Sequence, residues 1–387
     1  TMKNYTLLAV PLFVFMGSML ARSGCAERLY RWLGVSLGGL RGGLAAAALL
    51  ISVLFAACTG VVGASVVMMG LLFLPPMLAR KYSPSLAAGV VCAGGTLGIL
   101  IPPSVMLVVY GPAAGISVGK LFAACTVPGV IMGLMYIIYV LVLCRLKPEM
   151  GPPMPAEERA AIPTRDKVVG ILLNMVPILA LIVAVLGVIW TGVAPPTEAA
   201  AVGALAATVI AAAYRQLNWR VLRETVYDTL LTSSMVLMIV AAASMFGGVF
   251  SRLGCGRVVQ DIFLGLPLGK WGIFALMMAI IFILGFLMDW IASLLIIIPI
   301  FTPIAAQLGF DPIWFAATVC VMYQTSFLTP PFAYSIFYLK GVAPPEVTSS
   351  DIVKGVWPFV CMQVAVLLLC VFFPDVVMWL PEVTIGK

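Results

Sequence analysis

The chain has 387 residues, 63% of them hydrophobic and only 10% charged, against about 25% charged in an ordinary soluble domain. Apolar runs of roughly 20 residues recur from end to end, which predicts a polytopic all-α membrane protein; the alternating strands of an outer-membrane barrel are absent. The net charge of +7 is read as Lys and Arg in cytoplasmic loops rather than as the mark of an anionic partner such as nucleic acid. With no histidine, a His-ligated haem, a His-based triad and a His proton relay are excluded. The nine cysteines are scattered without a C-x-x-C pair, which argues against metal or disulfide chemistry.

The chain starts at Thr1 and enters an apolar crossing at about 5–21, so one or two further helices are expected to precede it. A charged arm follows, with Arg22, Arg28, Arg31 and Arg41. Residues 42–56 have a helical pattern but reach only about 22 Å, too short to span. They stop at "AACTGVVGAS" (56–65), and a second short helix over 66–79 ends at Arg80-Lys81, which predicts a re-entrant hairpin. Residues 84–110 form a crossing interrupted by "GGTLGILIPPS" (94–104), and 121–144 cross again. The stretch 145–167, rich in proline and mixed charge, reads as a solvated connector. Crossings follow at 168–190 and 197–214. Residues 215–228 predict an amphipathic helix lying in the interface, separate from a crossing over 229–250.

The pattern then returns. Shifted by 228 residues, 83–110 meets 311–338, and Pro84, Cys92, Leu100, Pro102, Pro103 and Tyr110 match Pro312, Cys320, Leu328, Pro330, Pro331 and Tyr338. The same shift places a second hairpin over 270–307, and a shift of 230 aligns "GSMLARSGC" (17–25) with "GGVFSRLGC" (247–255). The chain is therefore read as an internal duplication. If each hairpin returns to its own side, sixteen Lys and Arg fall on the side reached by the first crossing and six on the other, which makes the first side cytoplasmic. Loop 145–167 is then cytoplasmic, the C-terminus periplasmic, and the two repeats inverted.

Inverted repeats with broken helices predict a secondary transporter whose site lies near the bilayer midplane. Irregular backbone at that depth is tolerated only against protein or a water-filled cavity. Freed carbonyls suit a cation and half-helix N-termini suit an anion. A structural proline kink would explain one break but not two related ones. Asp289, at the tip of the second hairpin, is both a candidate functional carboxylate and a candidate cap for the helix after it. Glu198, after Pro-Pro-Thr at a helix start, reads as a capping residue. No G-x-x-x-x-G-K-[ST] loop occurs, so an ion gradient rather than ATP is expected to drive transport. Few buried ionisable groups argue against a proton relay, and neutral oxygens suit sodium.

At "GGTLGILIPPS", "PPTEAAAVGA", "GFLMDWIASLLIIIPIFTPI" and "FLTPPFAYSIFYLKGVAP" the chain resembles the large membrane (M, DctM-like) subunit of tripartite ATP-independent periplasmic (TRAP) transporters, over essentially its whole length. The resemblance implies a multi-pass protein of a bacterial or archaeal inner membrane that takes up a small organic acid, such as sialic acid or a dicarboxylate, with Na⁺. It implies two partners, a periplasmic substrate-binding protein and a small four-helix membrane (Q-type) subunit, separate or fused. It also implies an inverted-repeat elevator-type fold with two re-entrant helical hairpins and two broken transmembrane helices. Carried over by position, one Na⁺ site is expected among Thr59, Gly60, Ser65, Gly94, Gly95, Thr96 and Gly98. A second is expected among Met288, Asp289, Ser293, Gln324, Thr325, Ser326 and Thr329, with substrate near Ser65, Pro102, Ser104, Ser293, Thr329 and Pro330.

The expected division gives residues 42–120 and 270–350 to a mobile transport domain. Residues 1–41, 121–251 and 351–387 then form scaffold helices and arms, with a further interfacial arm at 252–269. A nearer rival is a stand-alone sodium/carboxylate symporter that needs no binding protein. An intramembrane protease fits poorly, because only Asp289 is a deep carboxylate and no histidine is present to serve a serine nucleophile.

Overall fold

The computed structural model describes residues 5–60, 62–155, 157–158, 163–330 and 333–385; the side chains of Ala57 and Thr59 also lie outside the description. Among these residues the chain is all-helical, with seventeen α-helices, nine of which are long and apolar enough to cross a membrane. The matched Pro331 and the cations Lys3, Arg159 and Lys387 fall outside the described residues.

The first helix, α1 (Ala9–Arg22), continues a 3-10 turn over Tyr5–Leu8. Gly24 turns the chain at φ 70°, a conformation that strains residues with a Cβ. The arm helix α2 (Cys25–Leu37) then buries Cys25, Leu29 and Leu33 while Glu27, Arg28 and Arg31 face outward. The first hairpin consists of α3 (Gly43–Thr59) and α4 (Val62–Ala79). Its described break is Gly60 alone, at φ 60°, far narrower than the expected 56–65. Alanine, cysteine and serine are tolerated inside a helix, so the small residues before and after Gly60 stay helical. Ser65 is consequently the fourth residue of α4 and not part of a loop.

The first broken crossing is α5 (Pro84–Thr96), a 3-10 turn over Leu97–Ile99, a bend, and α6 (Val105–Ala114). Gly94, Gly95 and Thr96 therefore close α5 rather than opening the break. Long helices α7 (Val118–Leu146) and α8 (Thr164–Trp190) flank the polar connector, and α9 (Pro196–Ala213) follows. Pro195 stands at the N-cap of α9 without a side-chain bond. Glu198 lies exposed in the first turn of that helix, where its charge complements the helix dipole instead of capping it.

One expectation is corrected outright. Residues 215–228 are not a separate interfacial helix, because α10 (Trp219–Arg252) runs unbroken for 34 residues, about 51 Å. Asn218 starts it by accepting the backbone N–H of Val221 at 2.9 Å, and no Gly or Pro intervenes before Gly247 to stop it. The amphipathic segment is the polar end of the crossing helix. After Gly254, at φ 71°, comes the short arm α11 (Cys255–Leu264).

The second hairpin is α12 (Lys270–Leu287) and α13 (Trp290–Gln307), and the second broken crossing is α14 (Pro312–Leu328) and α15 (Tyr334–Val342). The C-terminal segment 351–387, expected as one helix, is divided near Pro374 into α16 (Ser349–Phe372) and α17 (Asp375–Ile385). Shifted by 228, the helix boundaries Thr59, Val62, Ala79, Pro84 and Ala114 fall on Leu287, Trp290, Gln307, Pro312 and Val342, which are also helix boundaries. Duplication thus extends from sequence to element bounds.

The packing is crosswise. The arm α4 carries α15, and α13 carries α6, so each hairpin supports the second half of the other repeat's broken helix. Likewise α5 packs on α16 and α14 on α7. Gly89 and Gly355 allow the first of these contacts: a Cβ on Gly89 would lie 2.2 Å from the Gly355 carbonyl oxygen. Helices α9 and α10 both pack on α1, and α2 lies on α8.

Candidate functional site

Each hairpin meets the broken helix of its own repeat at a close approach that a missing Cβ permits. In the first repeat, a Cβ on Gly94 would stand 2.4 Å from Ser52 Oγ, and one on Gly95 would stand 2.4 Å from Val66 Cγ2 and 3.0 Å from Val66 Cα. A Cβ on Gly60, at the hairpin tip, would lie 3.1 Å from the backbone nitrogen of Val105, the first residue after the break. Gly60, Ser65, Gly94, Gly95, Thr96, Gly98, Pro102 and Ser104 are all buried. Of the expected first cluster, Gly60, Gly94 and Gly95 lie at the hairpin–break contact and Ser65, Thr96 and Gly98 are buried, while the side chain of Thr59 lies outside the described residues.

In the second repeat the contact carries side chains. Ser293 Oγ and Tyr323 Oη are 2.7 Å apart in a fully buried pair. Ser326 Oγ donates to the Phe282 carbonyl at 3.2 Å and to Met322 at 3.1 Å, and a Cβ on Gly285 would lie 2.7 Å from it. Thr325 and Thr329 donate to the Val321 and Thr325 carbonyls at 3.2 and 2.8 Å. A hydroxyl that donates to a helix carbonyl keeps its lone pairs for a cation. Met288 is extended at the tip, and Asp289 caps α13 by accepting the Ile291 N–H at 3.0 Å. Pro330 is partly buried beside the break.

Gln324 points elsewhere. Its amide and that of Gln363 on α16 face the Tyr136 hydroxyl on α7, and none of the three closes a hydrogen bond although all are fully buried. Gln324 thus belongs to the seam between α14, α7 and α16 rather than to the hairpin contact.

The ends of the breaks are strapped by serines. Ser104 Oγ donates to the Ile99 carbonyl at 2.6 Å, and Ser335 Oγ to the Phe327 carbonyl at 2.8 Å. Each hydroxyl lies at the start of the second half-helix and satisfies a carbonyl left at the end of the first. Neither half-helix has a side-chain cap: Ser104 at the start of α6 accepts no helix N–H, and α15 is preceded by Ala333. Two half-helix N-termini therefore present amides, a geometry suited to an anion. Sequence reasoning missed Ser335, Tyr136 and Gln363. Ser335 aligns with Leu107 in the other repeat, so the duplication carried no signal for it. Among the described residues no group of three His, Cys, Asp or Glu could hold a metal ion.

The fold is shared with the Alcanivorax borkumensis YdaH transporter, whose crystal structure superposes with a TM-score of 0.63 at 15% identity over 95% of this chain and 86% of that one. At that identity the likeness is one of fold alone. The C4-dicarboxylate TRAP transporter large permease protein DctM of Pseudomonas aeruginosa is 32% identical over 383 residues, 99% of this chain and 87% of its own length. The sialic acid TRAP transporter large permease protein SiaM of Vibrio cholerae is 28% identical over 99% of this chain and 88% of its own. The family model for the tripartite ATP-independent periplasmic transporter, DctM component, matches residues 1–376. Duplicated hairpins, paired breaks and a family match across nearly the whole length agree: the chain is a multi-pass membrane transporter subunit, not an enzyme, and belongs to the DctM family of TRAP large permeases.

Proposed function

We propose that the protein moves a small organic acid inward across the inner membrane together with sodium, receiving it from a periplasmic binding protein and working with a small four-helix membrane subunit. The relatives named for C4-dicarboxylates and sialic acid share a carboxylate as the common group of their substrates. One observation carries the reading here: two breaks related by the duplication leave two half-helix N-termini without side-chain caps. An acid carboxylate fits those amides. Sodium fits the neutral oxygens around Ser65, Thr96 and Gly98 in one repeat and Ser293, Ser326 and Thr329 in the other.

The movement we propose is an elevator step. Packing supports a moving body made of both re-entrant hairpins, both broken helices, and also α7 and α16, which lie directly on α14 and α5. Chain order alone had put 121–144 and 352–373 with the scaffold. The fixed frame would then be α1, α2 and α8 to α11, with the 145–167 connector cytoplasmic.

The test is uptake of labelled acid by proteoliposomes holding the permease and its small subunit. Uptake is expected only with an inward sodium gradient and loaded binding protein outside. Uptake that proceeds without sodium would overturn the coupling, and uptake of free acid without binding protein would favour a stand-alone symporter. Thermal shift of the binding protein against a set of organic acids identifies the substrate.

A further inference from the structure

A cluster of five charged side chains stands where two neighbouring spans end. Arg22, the last residue of α1, donates from Nη1 to Glu224 at 2.6 Å and from Nη2 to Asp228, both on α10. Arg220 Nε bonds Glu224 at 2.9 Å. Arg223 makes no ion pair among the described residues, so three guanidinium groups face two carboxylates and the cluster keeps one positive charge. It occupies the first three turns of α10, whose N-terminal dipole adds to that charge. Trp219 and Tyr227, both exposed, border it with the amphipathic rings found at headgroup level.

Below the cluster, and sharing Arg22 and Asp228 with it, a crevice of about 470 Å³ runs between α1, α10 and the hairpin arm α4. Its walls are mostly apolar: Val14, Val67, Met68, Leu71 and Leu231 outnumber the hydroxyls of Ser18, which donates to Asp228, and Thr232, and Leu71 and Leu231 are more than half exposed. An apolar slot at membrane depth is a poor path for a hydrophilic acid and a good seat for a hydrocarbon chain. A mostly apolar slot beneath a mouth of net charge +1, flanked by Trp and Tyr, has the complementarity of an anionic lipid: a chain below and one phosphodiester above.

We propose that this crevice is a binding site for an anionic phospholipid, with an acyl chain between α1, α4 and α10 and its phosphate on Arg223 and Arg220. The lipid wedges the first hairpin arm against α1 and α10. Binding is read without transport, so its outcome is independent of the coupling ion and the substrate.

The experiment is native mass spectrometry of the permease with its small subunit, equilibrated with phosphatidylglycerol or phosphatidylcholine of identical chains. Phosphatidylglycerol is expected to be retained about fivefold better, the worth of one basic side chain near an anionic headgroup. Arg223→Gln is expected to bring the two lipids to parity, and Leu71→Trp, which fills the slot at an exposed position, to lower retention of both. Arg257→Gln, an exposed arginine of the other arm, is expected to leave the preference unchanged. Parity in the unaltered protein, or a preference that survives Arg223→Gln, overturns the site. Retention seen only when the small subunit is stripped away assigns the crevice to that subunit and overturns it equally.

Discussion

Gly95→Ala tests the first hairpin–break contact directly. The added Cβ would meet Val66 Cγ2 at 2.4 Å, Val66 Cα at 3.0 Å and Val66 N at 3.1 Å. Val66 is fully buried and β-branched inside a helix, so its χ1 has little room to turn away. The arm α4 must therefore retreat by some tenths of an ångström, carrying Ser65 with it. Overpacking of this kind costs about 1–3 kcal/mol. The double variant Gly95→Ala/Val66→Ala removes the methyl clash and leaves only the two backbone contacts, so it should recover part of the loss. A coupling of about 0.5–3 kcal/mol between the two changes is expected. Thermal unfolding in detergent reads the stability, and sodium titration of uptake reads the site, whose half-saturating concentration should rise. If Gly95→Ala unfolds with the unaltered protein and its sodium titration is superimposable, the contact is neither tight nor part of the ion site, and the reasoning fails.

Tyr323→Phe strands the fully buried Ser293 hydroxyl and should cost about 1–3 kcal/mol in thermal unfolding, with a higher sodium requirement; no change in either measurement would separate this pair from the ion site. Asp289→Asn keeps an oxygen for the Ile291 N–H and should retain stability and uptake, while Asp289→Leu should lose about 1 kcal/mol; loss of sodium coupling in the Asn variant would show that the negative charge, not the cap, matters. Ser104→Ala and Ser335→Ala each unstrap a buried carbonyl at a break and should cost about 1–3 kcal/mol, with faster amide exchange at the start of α6 or α15 as the local readout.

The duplication, both paired helices with their tight turns and both breaks are legible because glycine and proline punctuate an otherwise apolar chain, and because the two Pro-Pro pairs fall in register; the length of the arms is not, since Val62–Ala79, Lys270–Leu287 and Trp290–Gln307 are long enough to cross. Gly60 at φ 60° and the turn glycines 24 and 254 are the kind of position where backbone conformation dictates residue type. What was not legible had no local signature. The break at the first tip was drawn too wide since small residues are compatible with both loop and helix. The 34-residue α10 was split because a change from amphipathic to apolar pattern marks a change of surroundings, not an end of helix. Gln324 was placed by its neighbours in sequence, yet at about 100° per residue it faces a different helix from Tyr323. Tyr136 and Gln363 come from distant segments, and only the fold brings them to Gln324.

The two repeats build the same close approach with opposite parts, and this difference bears on how two ion sites would divide their work. In the first, the glycines are on the broken helix: Gly94 admits Ser52 and Gly95 admits Val66 from the hairpin. In the second, the glycine is on the hairpin: Gly285 admits Ser326 from the broken helix. The position matching Gly95 is Tyr323, which reaches Ser293 instead of leaving space. Bulk has moved from one partner to the other while the helices stay close. A proposed site framed by Gly94 and Gly95 can combine main-chain oxygens with hydroxyls such as Ser65 and Thr96, and the main-chain part of its geometry depends on where the hairpin tip sits. A site framed by Ser293, Tyr323 and Ser326 holds hydroxyls fixed by their own hydrogen bonds, and is organised before an ion arrives. Preorganised oxygens lose less freedom on binding. Of the two proposed sodium sites, the second is therefore expected to fill first in a sodium titration, with the first depending on closure of its own hairpin, the contact that Gly95→Ala disturbs.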